Sequence, residues 1–143
     1  MTLDLIKLCV GADSIEDLAQ WQAGKIKEAM RKKRTPELMH VTRMTPKRAD
    51  ELLDGGSIYW VIKGQIAVRQ KLLELRSVVR DGGPRCGLVL DAKLVPTKMR
   101  TQRAFQGWRY LDDTDAPEDL KGRAREAKLP EALRAELATL GLL

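Results

Sequence analysis

Histidine and cysteine are scarce in this chain, which contains one histidine, His40, and two cysteines, Cys9 and Cys86. Zinc sites use closely spaced Cys and His ligands, and three scattered side chains do not supply such a set. We therefore expect no metal and no cofactor. A lone histidine in an apolar stretch is also a poor basis for a nucleophile–base pair, so no catalytic residue is predicted. Both cysteines lie in apolar runs, which favours reduced, buried thiols in a cytoplasmic protein over a disulfide framework.

Long apolar runs are also missing. A membrane-spanning helix needs about 20 consecutive apolar residues, and no run in the chain approaches that length. The stretch Leu3–Val10 is interrupted by Asp4 and Lys7, so it is a poor secretory signal and is expected to be a buried strand. With 143 residues, of which 43% are hydrophobic, the chain is expected to form one soluble domain over residues 1–143, with no membrane partner.

Acidic side chains are absent from Ala92–Leu111, which contains five basic ones. The wider segment 55–111 has 11 basic and 3 acidic residues, so its net charge of +8 exceeds the +6 of the whole chain. It also holds five of the six aromatic residues, namely Tyr59, Trp60, Phe105, Trp108 and Tyr110. Basic side chains interleaved with aromatic rings are typical of surfaces that bind nucleic acid.

An acidic segment follows directly, with Asp112, Asp113, Asp115, Glu118 and Asp119 and no basic residue among them. Three interpretations are open. The carboxylates could form a metal cluster, they could belong to a solvated loop, or they could cover the basic face as an intramolecular mimic of a polyanion.

Hydrophobic spacing and turn residues predict an α+β fold. Strands are expected at Leu3–Val10, Leu38–Thr42, Ser57–Ile62, Cys86–Leu90 and Ala104–Leu111, and helices at Ser14–Lys33, Lys47–Leu53 and Pro130–Leu140. The first helix would begin at a capping box of Asp13 and Glu16 and could bend at Gly24, and the second would begin at Thr45-Pro46. The segment Gln65–Arg80 fits a helix or a long bent strand, and its Val and Ile content favours the strand. Because the strands cluster in the middle, we expect a mainly antiparallel sheet or a partly closed barrel with flanking helices.

The stretch Lys98–Tyr110 is the most distinctive candidate site. In an extended strand Arg103 and Arg109 would share one face, with Gly107 between them leaving room for a nucleic-acid backbone. Alternatively, the rings fill the core and the arginines form a solvated rim. The predicted nucleic-acid-binding residues are Arg100, Arg103, Arg109, Lys98, Trp108, Lys63 and Arg69.

Three segments, Leu5–Gly11, Gly55–Gly64 and Ala104–Leu111, resemble those of a small proteobacterial family of unknown function. This resemblance extends over nearly the whole chain and implies no activity. A helix that ends at Gly55-Gly56, followed by an aromatic strand and a further long strand, is similar to the pseudouridine-synthase-and-archaeosine-transglycosylase (PUA) domain. That resemblance implies a PUA-like fold that binds RNA or modified bases, by analogy of fold alone.

Three functions follow from these observations. The first is a non-catalytic domain that binds nucleic acid, with RNA favoured. The second is an enzyme or reader of a small phosphorylated or base-like ligand, with Trp60 or Trp108 in a pocket; a concave site with a ring and convergent polar groups would distinguish it. The third is a protein-interaction module that self-associates through the leucine stripe of the predicted C-terminal helix and the asymmetry between the basic and acidic segments.

Overall fold

Seven strands and two α-helices are formed by residues 2–121, the part of the chain that the computed structural model describes. In chain order they are β1 (Leu3–Leu8), α1 (Ile15–Arg31), β2 (Leu38–Thr42), α2 (Ala49–Leu52), β3 (Ser57–Ile62), β4 (Gln65–Arg80), β5 (Gly83–Leu90), β6 (Val95–Thr101) and β7 (Trp108–Asp112). A 3₁₀ turn follows at Asp113–Asp115. Neither helix is long and apolar enough to cross a membrane. The helix predicted at 130–140 lies outside the described residues.

The long strand β4 connects the two halves of the sheet. Its first half pairs antiparallel with β3 on one edge and with β6 on the other, whereas its second half pairs antiparallel with β5. Register irregularities after Ile66 and Leu72 bend the strand between these partners. Strand β2 pairs with β5, β1 lies parallel to β3, and β7 pairs with β1, which gives the order β2-β5-β4-β3-β1-β7.

This arrangement confirms an α+β fold with a mainly antiparallel sheet. The described sheet is not closed, since its path runs from β2 to β7, so the barrel alternative is not confirmed. The ambiguous segment Gln65–Arg80 is a strand over its whole length, as its β-branched residues indicated.

Helix α1 begins one residue later than its predicted capping box. Ser14 is the N-cap, and its hydroxyl accepts a hydrogen bond from the backbone N–H of Asp17 at 3.1 Å. The Asp17 carboxylate in turn accepts one from the backbone N–H of Asp13 at 2.9 Å. Asp17 therefore connects Ser14 and Asp13 at the start of the helix, and Glu16 takes no part in these bonds. Gly24 lies inside an uninterrupted helix, so no break occurs there.

Helix α2 is shorter than predicted and does not start at Thr45-Pro46. Its first residue is Ala49, and its N-cap, Arg48, makes no side-chain capping bond. The backbone N–H of Arg48 instead donates to the hydroxyl of Tyr110 at 3.1 Å. A contact with a residue 62 positions away thus sets the start of the helix, which local capping rules do not anticipate.

The sheet buries a separate hydrophobic cluster on each face. The larger cluster packs α1 against the sheet and contains Trp60, which is 3% exposed, as its position in the strand predicted. The smaller cluster is on the opposite face and consists of Ile6, Tyr59, Val61, Ile66, Phe105 and Leu111. Cys86 is buried as expected, whereas Cys9 is only partly buried.

The predicted final strand Ala104–Leu111 is wrong in its first half. Residues 102–107 form a loop, Gly107 has a φ of +70°, and β7 begins only at Trp108. The loop delivers Phe105 into the smaller cluster, where its ring is 9% exposed. Arg103 and Arg109 therefore do not alternate along one strand, and the groove that this alternation predicted is not formed by a continuous strand face.

Two glycines offer a sharp test of this packing. A Cβ at Gly56 would lie 2.3 Å from the carbonyl oxygens of both Leu3 and Leu52, whereas a Cβ at Gly24 would meet nothing within 4 Å. We expect Gly56→Ala to lower the free energy of unfolding by roughly 3 kcal/mol or more, because backbone must move. Gly24→Ala should raise it by about 0.5–1 kcal/mol, since alanine is the better helix former. Urea denaturation measures both, and equal effects of the two changes would contradict the described packing.

Candidate functional site

A cavity of about 320 Å³ lies between α1 and the face of the sheet that carries the larger hydrophobic cluster. The loop 9–12 after β1 forms one wall, one side of α1 forms the second, and β2 forms the third. Its most informative lining residues are Trp21, Gln22, Lys25, His40, Trp60 and Leu90. The volume is in the range of small-molecule sites, and rings from α1, β2 and β3 line it.

A fully satisfied polar network fixes the floor of this cavity. The Gln70 amide, which is 0% exposed, donates to Oε1 of Gln22 at 2.8 Å and to the carbonyl of Asp91 at 3.0 Å. Its Oε1 accepts from Nε2 of Gln22 at 2.9 Å and from the indole Nε1 of Trp60 at 2.9 Å. Because every donor and acceptor of Gln70 is used, the Trp60 ring and the helix are held in one relative position.

His40 differs from this network in having an unsatisfied nitrogen. Its ring packs edge-to-face against Trp60 with centroids 5.3 Å apart. Nε2 of His40 is the one buried side-chain nitrogen or oxygen without a hydrogen-bond partner in residues 2–121. Burial, together with the positive charges of Lys7 and Lys25, lowers the pKa of His40 to about 4. The imidazole is thus neutral at pH 7 and retains one donor and one acceptor.

The charged side chains that line the cavity are Lys25 and Asp17. The ammonium of Lys25 lies 3.7 Å from the centroid of the Trp21 ring, which is 56% exposed, and burial lowers the pKa of Lys25. Burial raises the pKa of the Cys9 thiol to about 11, so this thiol is protonated at neutral pH and is a poor nucleophile. The geometry therefore fits binding of a ring better than nucleophilic chemistry.

Three of the predicted nucleic-acid-binding residues contact the acidic segment. Arg69 makes two hydrogen bonds of 2.7 Å to the carboxylate of Asp119, and Lys98 pairs with Glu118 at 2.8 Å. A guanidinium nitrogen of Arg100 donates to the carbonyl of Asp115. Backbone hydrogen bonds from Lys98 to Glu118 and from Leu120 to Pro96 attach the segment to β6. These contacts match the interpretation of the acidic residues as an intramolecular cover of basic side chains.

The other predicted residues separate into two places. Lys63 lies in the turn between β3 and β4, and the backbone N–H of Gln102 donates to the carbonyl of Gly64 in that turn at 2.8 Å. Arg103 therefore lies in a loop that is attached to the turn of Lys63. Phe105 belongs to the same loop, and the guanidinium of Arg109 on β7 lies 4.7 Å from the centroid of the Phe105 ring. Trp108 is on the other face, where its indole N–H donates to the carbonyl of Met44 at 2.8 Å.

The cavity residues come from parts of the chain that the sequence does not connect. Trp60 or Trp108 was expected in a pocket, and of the two only Trp60 lines this cavity. Trp21, Lys25 and His40 were missed as binding residues, because α1 and β2 meet Trp60 only in the folded chain. The described residues contain no group of three or more His, Cys, Asp and Glu side chains that could hold a metal ion.

Residues 5–143 match the family described as "Protein of unknown function (DUF1489)". The chain belongs to this family. It matches no curated protein and no solved structure. Membership of DUF1489 agrees with the expected small family of unknown function and assigns no activity, so functional inference for this DUF1489 chain depends on the geometry of its site.

The unpaired His40 predicts a measurable dependence of stability on pH. Its folded pKa lies below the unfolded value of about 6.5, so the unfolded chain binds the proton first as the pH falls. The free energy of unfolding should therefore decrease by about 2 kcal/mol more in the wild type than in a His40→Leu variant between pH 7 and pH 5. Urea denaturation of both proteins at the two pH values measures this difference, and an equal decrease would show that His40 is not buried in its neutral form.

Proposed function

We propose that this chain binds a small, planar, base-like ligand in the cavity between α1 and the sheet. The main support for the proposal is that the rings of Trp21, His40 and Trp60 line one cavity of about 320 Å³. Base–aromatic stacking contributes about 1–3 kcal/mol per base, so rings at this spacing are a strong source of affinity for a flat ligand.

His40 supplies the polar group that would read the edge of such a ligand. A neutral imidazole offers one donor and one acceptor, and its buried Nε2 has no hydrogen-bond partner within the described chain. Because Nε2 is covered, the ring must turn to contact a ligand. The network around Gln70 holds Trp60 in place while it does so. Ligand binding would thus satisfy a nitrogen whose burial otherwise costs roughly 1–3 kcal/mol.

Adenosine is a suitable probe, and the three tryptophans make a site-specific test. We expect adenosine to shift the indole N–H signals of Trp21 and Trp60 in a ¹H–¹⁵N correlation spectrum and to leave that of Trp108 unchanged, since Trp108 does not line the cavity. Trp21→Ala should weaken binding about tenfold or more, because a stacking ring is lost.

Met99→Ala is the matched control for Trp21→Ala, because Met99 is 54% exposed on β6 and does not line the cavity. This variant should bind adenosine as the wild type does. The proposal fails if adenosine moves neither indole signal, or if Trp21→Ala binds as tightly as Met99→Ala.

A second candidate function is binding of RNA. In this case the protein would be cytoplasmic and would have a PUA-like role. Its support is the grouping of Arg103 and Arg109 in and beside the loop that is attached to the turn of Lys63. Three exposed cations at one end of the sheet could contact successive phosphates. The cations of Arg69, Lys98 and Arg100 contribute less to this surface, because the acidic segment already contacts them.

The salt dependence of binding to a single-stranded RNA of mixed sequence tests the second candidate. Replacing both Arg103 and Arg109 with Ala should reduce the slope of log K against log salt by about 1.4, since each phosphate contact to a single strand contributes about 0.7. The melting temperature should change little, because both side chains are exposed. A double change of Arg80 and Arg85 to Ala, in the β4–β5 hairpin, is the control, and an equal effect of the two double changes would indicate unspecific charge attraction only.

A further inference from the structure

Lys7 is an unusual residue in this fold because it is a half-buried cation between two aromatic residues. It occupies β1, and its register partners are Trp60 on β3 and Trp108 on β7. Paired positions of neighbouring strands share a face of the sheet, so Lys7 belongs to the face that α1 covers. It stands at the end of β1 from which the cavity loop 9–12 departs.

No carboxylate neutralises Lys7 within residues 2–121. Its ammonium group makes no ion pair or hydrogen bond there. Burial lowers the pKa of Lys7 as a consequence. A partly buried charge without a counter-ion is costly, which makes such a position a candidate for receiving a counter-ion from outside the protein.

The charges around the cavity also favour a negatively charged ligand. The charges of Lys7 and Lys25 both act on His40, which lines the cavity, so two ammonium groups lie near that ring. Asp17 is the one carboxylate among the described lining residues, and it already accepts the hydrogen bond from the backbone N–H of Asp13. Lys25 is exposed beside Trp21, whereas Lys7 is half-buried on β1 next to Trp60 and is not itself a lining residue of the cavity. Attraction between opposite charges is stronger where water is excluded.

We propose that the ligand of this cavity carries an anionic group, and that Lys7 binds it. This inference rests on the proposed function and narrows its ligand to base-like molecules with a phosphate or carboxylate. The ring would contact Trp21, His40 and Trp60 while the anion approaches Lys7 behind the β1–α1 loop. Binding would supply the counter-ion that the described part of the chain does not provide.

Adenosine and adenosine 5′-monophosphate form the probe pair, since they share a ring and differ by the phosphate. We expect wild type to bind the monophosphate about tenfold more tightly, which is the size of one charge-assisted hydrogen bond. Lys7→Met should abolish this preference and leave the affinity for adenosine unchanged. Lys7→Arg, which keeps the charge, should retain most of the preference, and Lys47→Gln, on an exposed lysine away from the cavity, should retain all of it.

The outcomes separate this inference from the function on which it rests. Equal affinities of wild type for the two probes, or an unchanged preference in Lys7→Met, would overturn the role of Lys7 and leave the base-binding cavity intact. If neither probe binds, the proposed function fails and this inference fails with it. Urea denaturation of Lys7→Met and Lys7→Arg shows whether each variant folds. If Lys7→Met does not fold, the affinities of Lys7→Arg and wild type for the two probes still decide. Loss of binding to both probes in Lys7→Arg would then contradict a purely electrostatic role of Lys7.

Discussion

The buried amide of Gln70 is the contact on which the arrangement of helix, sheet and cavity depends. It is fully buried in β4, and it joins Gln22 of α1, Trp60 of β3 and the backbone at Asp91 in one set of hydrogen bonds of 2.8–3.0 Å. A buried amide tolerates few geometries, because each unsatisfied donor or acceptor costs roughly 1–3 kcal/mol. Polar contacts therefore fix the position of the helix relative to the sheet, beside the apolar packing of the larger cluster.

Between this helix and the sheet there is space that apolar side chains do not fill. The cavity opens beside the network, where the loop 9–12 and β2 complete its walls. The same strand that supplies Gln70 also supplies Arg69, which points to the opposite face and binds Asp119 and Ser57. Consecutive residues of β4 thus anchor α1 on one face and the acidic segment on the other, since side chains alternate along a strand.

Local sequence patterns predicted the elements whose stability is local and failed where distant residues decide. The strand Ser57–Ile62, the start of α1 to within one residue and the strand character of Gln65–Arg80 follow from residue type and spacing. The start of α2 depends on Tyr110, and the break before β7 depends on the burial of Phe105 in the smaller cluster. The cavity combines α1, β2 and β3, so no single window of sequence contains it. Lys7 did leave a signal, as a charge inside an otherwise apolar strand, and the sequence offered no reason to pair it with His40.

The basic middle segment shows why net charge is a weaker guide to function than the placement of charges. Its excess of +8 is real, but Arg69, Lys98 and Arg100 direct their side chains to the acidic segment that follows. Arg76, in the same segment, is held by Glu37 and Glu74 at 2.8 Å. Such pairs reduce the field at the surface, because potentials of opposite sign cancel over the few ångströms that separate them.

Lys7 lies outside the basic segment altogether, yet no carboxylate of the described chain pairs with it. One unpaired, half-buried cation among aromatic rings therefore says more about a ligand than many paired ones on the surface.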